Sequence, residues 1–353
     1  MNNSTTDTLV KHNRSLAIDF LKAIAIFGVV VIHTCSYNYD IASFNWTASV
    51  FWGSAVRASV PIFFMCSGAL LLSQEYILSP KKFFSKNVLR IIISMLFWAM
   101  AYKVFHLLAG HTLSFANIFQ AVKEVLLFKQ EAHLYFLQII LLVYLFLPVT
   151  RIITQYATKR QIEYLLALWF VFGIVFPTVV SFWPFNLLSG IPMQYKINET
   201  YAAIGYGLLG YYLKQFTPWN KVTYTIMTAA GFLLTFGGTC ISSGLKSAFD
   251  TQFLEGMSVG VCLMAAGIFG LCLSIRIPSK SKIGAKIIYL SKASFCVYLT
   301  HMFFLLILSH FGISAAFLPT IISTPIVAGI IFICSLFAYA VLSRIPYVKK
   351  WLI

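Results

Sequence analysis

The chain reads as an all-α, polytopic integral membrane protein of about ten transmembrane helices, with its N- and C-termini cytoplasmic. Three observations predict this. Of its 353 residues 59% are hydrophobic and only 10% are charged, with a mean hydropathy of +0.84, which excludes an ordinary soluble domain. Apolar runs of about 20 residues, enough to cross roughly 30 Å of hydrocarbon, recur from Leu16 to Trp351 with short polar breaks between them. Lys and Arg collect in every second break, the bias that marks the cytoplasmic face.

The predicted spans are 16–37, 48–73, 87–109, 133–154, 161–181, 197–215, 221–241, 253–275, 285–310 and 320–344. None shows the apolar–polar alternation of a barrel strand. The first is longer than a signal-peptide core, carries Asp19, Lys22 and His33, and lacks a small-residue cleavage site, so it is expected to stay in the mature protein. The stretch from Phe115 to Phe128 is too short and mixed to span and reads as an amphipathic or re-entrant piece on one face. With no linker, low-complexity tract or strong internal repeat, a single transmembrane domain over 1–353 is expected, with 1–15 as a cytoplasmic tail.

Orientation follows from the loop cations. One set of breaks holds Lys11 and Arg14; Lys81, Lys82 and Lys86; Arg151, Lys159 and Arg160; Lys214 and Lys221; Arg276, Lys280, Lys282 and Lys286; and Arg344, Lys349 and Lys350. The alternate breaks hold Lys123, Lys129, Lys196 and Lys246, most of them beside an acid. The first set is therefore assigned to the cytoplasm. The net charge of +16 is then an inner-face bias suited to anionic lipid, and calls for no nucleic acid. Seven cysteines, none in a close CxxC pair, suggest neither a metal site nor a disulfide framework.

Ionisable groups inside apolar spans carry the functional argument, because each costs roughly 3 kcal/mol or more at mid-bilayer unless it is paired or faces a polar cavity. Lys22 and His33 are eleven positions apart, so on a helix they share one face and are separated by roughly 16 Å along the axis. Asp19, one turn before Lys22, can pair with it. The bland alternative is a snorkelling lysine and a histidine bonded to a neighbouring helix.

At these residues the sequence resembles acyltransferase family 3, membrane proteins that O-acylate cell-surface glycans. Four segments carry the likeness in the family's order. They are Lys22 to His33 within the first helix; Arg57 through Ser59-Val-Pro-Ile-Phe-Phe-Met-Cys-Ser-Gly68; His133-Leu-Tyr-Phe-Leu with the later Leu147-Pro148; and Ser294-Phe-Cys-Val-Tyr-Leu-Thr-His301. Where family members often carry Arg-x-x-Arg, this chain has Asn87-Val-Leu-Arg90 preceded by Lys86, so either Lys86 supplies the missing charge or donor binding differs in detail. The esterase-like C-terminal domain of some relatives is not expected in a chain ending at Ile353.

The resemblance implies transfer of an acyl group, most often acetyl, from cytoplasmic acetyl-CoA as co-substrate, with no permanently bound cofactor, to a sugar hydroxyl on the far side of the cell membrane. The residues are compatible with that geometry. Lys22, Lys86 and Arg90 are predicted at the inner leaflet, where cations can hold the phosphates of a CoA donor. His33, His133 and His301 fall in the outer halves or at the outer ends of their helices. Histidine suits deprotonation of a hydroxyl near neutral pH, so His33 is the first choice for general base or for transient acyl acceptor.

Arg57 is expected to stabilise oxyanion charge or to orient His33, or else to form an interhelical salt bridge. Asp19 joins His33 and Arg57 in the catalytic set. Glu255 is expected to hydrogen-bond acceptor hydroxyls, and Tyr298 and His301, three apart, to form a hydrogen-bonded pair; with His133 these make up the acceptor-side set. The rival class is a glycan or small-molecule transporter or flippase. The lack of Gly/Pro-broken helices in matching halves speaks against it. A membrane sensor or scaffold would leave the charged stripe of the first helix without a cavity.

Overall fold

A computed structural model describes residues 14–36, 38–73, 79–190, 195–275, 278 and 281–353. The N-terminal tail with Lys11, and the loop cations Arg276 and Lys280, lie outside the described residues. Helix accounts for 79% of the structure, and no strand occurs among the described residues. Nine helical stretches there are long and apolar enough to cross a membrane. They are built from α1 (Leu16–Thr34); α2 (Phe44–Ala55) with α3 (Ser59–Leu71); α4 (Pro80–Phe83) with α5 (Leu89–Ala109); α7 (Tyr135–Tyr156); α8 (Lys159–Trp169) with α9 (Phe176–Val179); α11 (Lys221–Lys246); α12 (Val259–Leu273); α13 (Lys282–His310); and α14 (Thr320–Leu342). Between them lie α6 (Phe115–Leu126) and α10 (Glu199–Phe216), and α15 (Pro346–Trp351) follows the last.

The predicted span 197–215 does form a helix, α10, of 18 residues, but it is not among the nine. Its composition explains why: Tyr201, Tyr206, Tyr211, Tyr212 and Lys214 lower its hydropathy. Ala202, Ala203, Tyr206 and Leu213 are fully buried, so its environment is largely protein rather than lipid, and tyrosines are tolerated there. The tightest approach is to α3. A Cβ on Gly68 would sit 1.8 Å from the main-chain oxygen of Gly207, and one on Gly210 would sit 2.1 Å from that of Met65. Small residues let the two backbones meet, as membrane helices require where no hydrophobic gain drives association.

The second predicted span is broken. Pro61 has no N–H to offer the carbonyl of Arg57 and its ring crowds that position, so a turn at 56–58 separates α2 from α3. Pro325 similarly frees the carbonyl of Ile321 within α14, and the Trp52 indole donates to it at 3.0 Å. π turns of five and six residues, which mark distorted and often functional places in helices, interrupt the third span at Phe84–Val88 and the fifth at Phe170–Val175. Individual helices are therefore interrupted, in the second, third and fifth spans.

Two cations assigned to the cytoplasmic bias have internal partners. Arg151, 7% exposed, donates to the Leu71 carbonyl at 2.9 Å, and Lys214 donates to that of Ala69 at 3.1 Å. Thr154 adds a bond to Leu72. Together they satisfy the open carbonyls at the α3 C-terminus, where positive charge also suits the helix dipole.

The Phe115–Phe128 stretch forms the amphipathic α6. Phe115, Phe119, Val122 and Leu126 are exposed along one stripe, Ala121 and Val125 are buried, and Glu124 pairs with Lys103 of α5 at 2.7 Å. That hydrogen bond holds the Glu124 carboxyl below the usual carboxylate range.

The Gly68 crossing gives a direct test. Gly68→Ala drives a methyl into backbone and should destabilise the protein by about 1–3 kcal/mol, read as a lower melting temperature and less monodisperse material in detergent. Gly207→Ala, whose Cβ meets nothing nearer than 3.9 Å, should leave both unchanged.

Candidate active site

The helices converge on one cavity of about 920 Å3, within the size range of small-molecule sites. At one extreme it is lined by Lys22, Lys86, Asn87, Arg90, Lys292 and Lys350, and at the other by His33, Arg57, His133 and Glu255. Lys22 and His33 both face it from α1, as their spacing predicts. Lys86 and Asn87 belong to the π turn, so the residue standing in place of the usual arginine lines the cavity together with the lysine beside it. The Arg90 guanidinium donates to the main-chain oxygen of Ile353 and lies 5.5 Å from the centre of the Phe295 ring. Lys22 has no carboxylate partner among the described residues.

Three histidines distant in sequence come together at the other end. The ring centres of His33 and His301 are 5.1 Å apart, those of His133 and His301 5.3 Å, and those of His33 and His133 6.2 Å. His33 is half-buried on the cavity wall, whereas His133 and His301 are 6% and 1% exposed. His301 Nδ1 lies 2.7 Å from the Tyr298 carbonyl and 3.2 Å from that of Val297. Carbonyls only accept, so this nitrogen carries the hydrogen, and in the neutral ring Nε2 keeps its lone pair. That Nε2 and both ring nitrogens of His133 are buried without a protein hydrogen-bond partner. Buried polar atoms of this kind are rare and call for an explanation.

Aromatic side chains hold the cluster. The Tyr298 hydroxyl donates to the His133 carbonyl at 2.5 Å, and the Tyr102 ring lies edge-on to His133 at 4.9 Å. Tyr102 stacks on Phe303 at 3.9 Å and donates to the Leu299 carbonyl at 2.8 Å. The expected Tyr298–His301 pairing thus runs through the tyrosine's main chain. Its hydroxyl is committed to His133, which makes Tyr298 a positioning residue that also walls the cavity.

Arg57 sits at the break between α2 and α3, so its side chain reaches the cavity from a turn rather than from within a helix. Its Nε donates to the Leu254 carbonyl, tying the break to the short 3-10 turn Gln252–Leu254. That turn precedes Glu255, which accepts from Thr251 at 3.1 Å and lines the cavity beside Arg57.

Asp19 is not brought to this end. About 21 Å of helix separates it from His33. Its carboxylate pairs with Arg14, one contact being 3.0 Å, and accepts from Ser291 of α13 at 2.6 Å rather than pairing with Lys22. It therefore links α1 to α13 and stands apart from the three histidines.

The family model described as an acyltransferase domain, Acyl_transf_3, matches residues 15–343, nearly the whole chain. The chain belongs to acyltransferase family 3. No curated protein and no solved structure matches it. Membership makes it a membrane acyltransferase, and all four segments that carry the likeness line or abut this cavity. Sequence reasoning missed Tyr102, Lys292 and Lys350. Lys292 had a signal, since it is a cation inside a predicted span nine residues before His301; Tyr102 had none, being one buried aromatic among many.

Removing only the positioning bond tests the arrangement. Tyr298→Phe keeps the ring and loses the donor to His133, and should lower the rate constant of this acyltransferase by roughly tenfold or more with abundance unchanged. Turnover by purified protein at saturating donor measures it.

Proposed function

We propose that this acyltransferase moves an acyl group, acetyl in the first instance, from acyl-CoA on the cytoplasmic side to a hydroxyl of a cell-envelope glycan or its lipid-linked precursor. In this reading it is a single multi-pass domain of the cell membrane with both termini in the cytoplasm. One observation carries the proposal: the same cavity is lined by cations at one end and by His33 and Arg57 at the other, roughly 16 Å away along α1. A thin pantetheine arm suits that separation, with phosphates among Lys22, Lys86 and Arg90 and the thioester at the histidines.

The chemistry follows from this placement. As the acceptor oxygen attacks the thioester carbonyl, His33 takes the hydroxyl proton. Arg57 stabilises the charge that develops on the carbonyl oxygen. The C–S bond then breaks as the ester forms, and the departing thiolate takes the proton back from His33, leaving free CoA thiol. His301 and His133 hold His33 in position and share its proton, while Glu255 accepts hydrogen bonds from the acceptor's other hydroxyls. Acyl transfer through His33 itself would use the same groups in two steps.

The test uses inverted membrane vesicles and acetyl-CoA labelled in the acetyl group. Wild-type protein should place label in envelope glycan, and His33→Ala should abolish transfer with insertion and abundance intact. Arg90→Ala should raise the apparent KM for acetyl-CoA by roughly tenfold, the worth of a lost charge-assisted hydrogen bond. No label with either protein, while glycan or a solute still crosses the membrane, would support the transporter reading instead.

A further inference from the structure

The last two residues are packed into the bundle, and they anchor the exposed α15 that precedes them. After α15 the chain buries Leu352 and Ile353, each 5% exposed, against α5. The Leu352 carbonyl accepts from Ser94 at 3.0 Å and from the Trp98 indole at 2.9 Å, and the main-chain oxygen of Ile353 accepts from Arg90. These bonds fix the segment at the basic end of the cavity, where Lys350 and Trp351 form part of the wall. The Lys350 ammonium lies 4.9 Å from the centre of the Trp351 ring, and no carboxylate pairs with it among the described residues. Lys292 of α13 lines the same end and is likewise exposed. Five cations therefore line this end of the cavity, and two of them, Lys292 and Lys350, have no part in the Lys22, Lys86 and Arg90 set.

We infer that Lys350, presented by the folded-back segment 346–353, together with Lys292 from α13, binds the phosphate groups of the acyl donor. This rests on the acyl-CoA reading above and extends it. A single phosphodiester would need one or two cations, whereas five suit a donor with several phosphates, the nucleotide end of a CoA thioester. Because Arg90 is bonded to Ile353, the segment also sets where Arg90 can point, so the donor site is only complete with the C-terminal residues in place. The same cations could serve lipid headgroup phosphate, and the choice of membrane separates the two.

The experiment measures the dissociation constant of labelled acetyl-CoA for full-length protein in nanodiscs of purely zwitterionic phosphatidylcholine, with melting temperature as a check on folding. Lys350→Ala and Lys292→Ala should each weaken binding by roughly tenfold, Lys350→Arg should restore most of the loss, and melting temperatures should match wild type. Three results would overturn the proposal: binding unchanged in both alanine variants; a loss that tracks a lowered melting temperature and is not rescued by arginine; or an effect seen only in nanodiscs of anionic lipid. Wild-type protein that binds no acetyl-CoA would overturn the donor reading and this inference with it. Wild-type binding with unaffected variants would sink the inference alone.

Discussion

An ionisable side chain in hydrocarbon must find a partner or a polar cavity, and the structure is arranged around that constraint. Lys22, His33 and Arg57 are set within the first two spans, and they reach the cavity by two routes. Lys22 and His33 share one face of α1. Arg57 is brought in by a helix break that Pro61 imposes. The groups that do not reach the cavity are paired elsewhere: Asp19 with Arg14 and Ser291, Arg151 and Lys214 with the open carbonyls of α3. Once those partners are counted, the site is defined by the cations and histidines that face the cavity.

The broken second span is the strut on which both ends depend. Its upper half meets α14 through the Trp52 bond to Ile321, its lower half lies against α10 at Gly68, and its C-terminus is capped by side chains of α7 and α10. Gly28 of α1 faces Ser59 at the start of α3 so closely that a Cβ there would lie 2.0 Å from the serine oxygen. The helix bearing His33 is thereby held against the break bearing Arg57. Ser59, Pro61 and Gly68 belong to one motif, and each has a separate physical task within it.

Much of this was legible in the sequence, for reasons particular to each element. Spans could be read because hydrocarbon thickness fixes their length, and α6 because its stripe of Phe115, Phe119, Val122 and Leu126 is amphipathic. The shared face of Lys22 and His33 followed from helical period alone. The meeting of His33, His133 and His301 did not, since their depth in the membrane could be inferred but not which helices are neighbours. The loop cations were the least readable. A bias counted over loops treats Lys350, Arg151 and Lys214 alike, although one lines the cavity and two cap a helix. The helix Glu199–Phe216 is less apolar than the spans for a related reason: contact with protein rather than lipid removes the demand for an apolar surface.

The central claim is that one cavity holds a donor with its phosphates among the cations and its acyl carbon beside His33. The most direct measurement is an experimental structure of the protein in lipid with a non-hydrolysable thioether analogue of acetyl-CoA. The account predicts phosphates at Lys22, Lys86 and Arg90 and the analogue's carbonyl within hydrogen-bonding reach of Arg57 and His33. An analogue bound outside this cavity, or one whose acyl end stops well short of the three histidines, would contradict it.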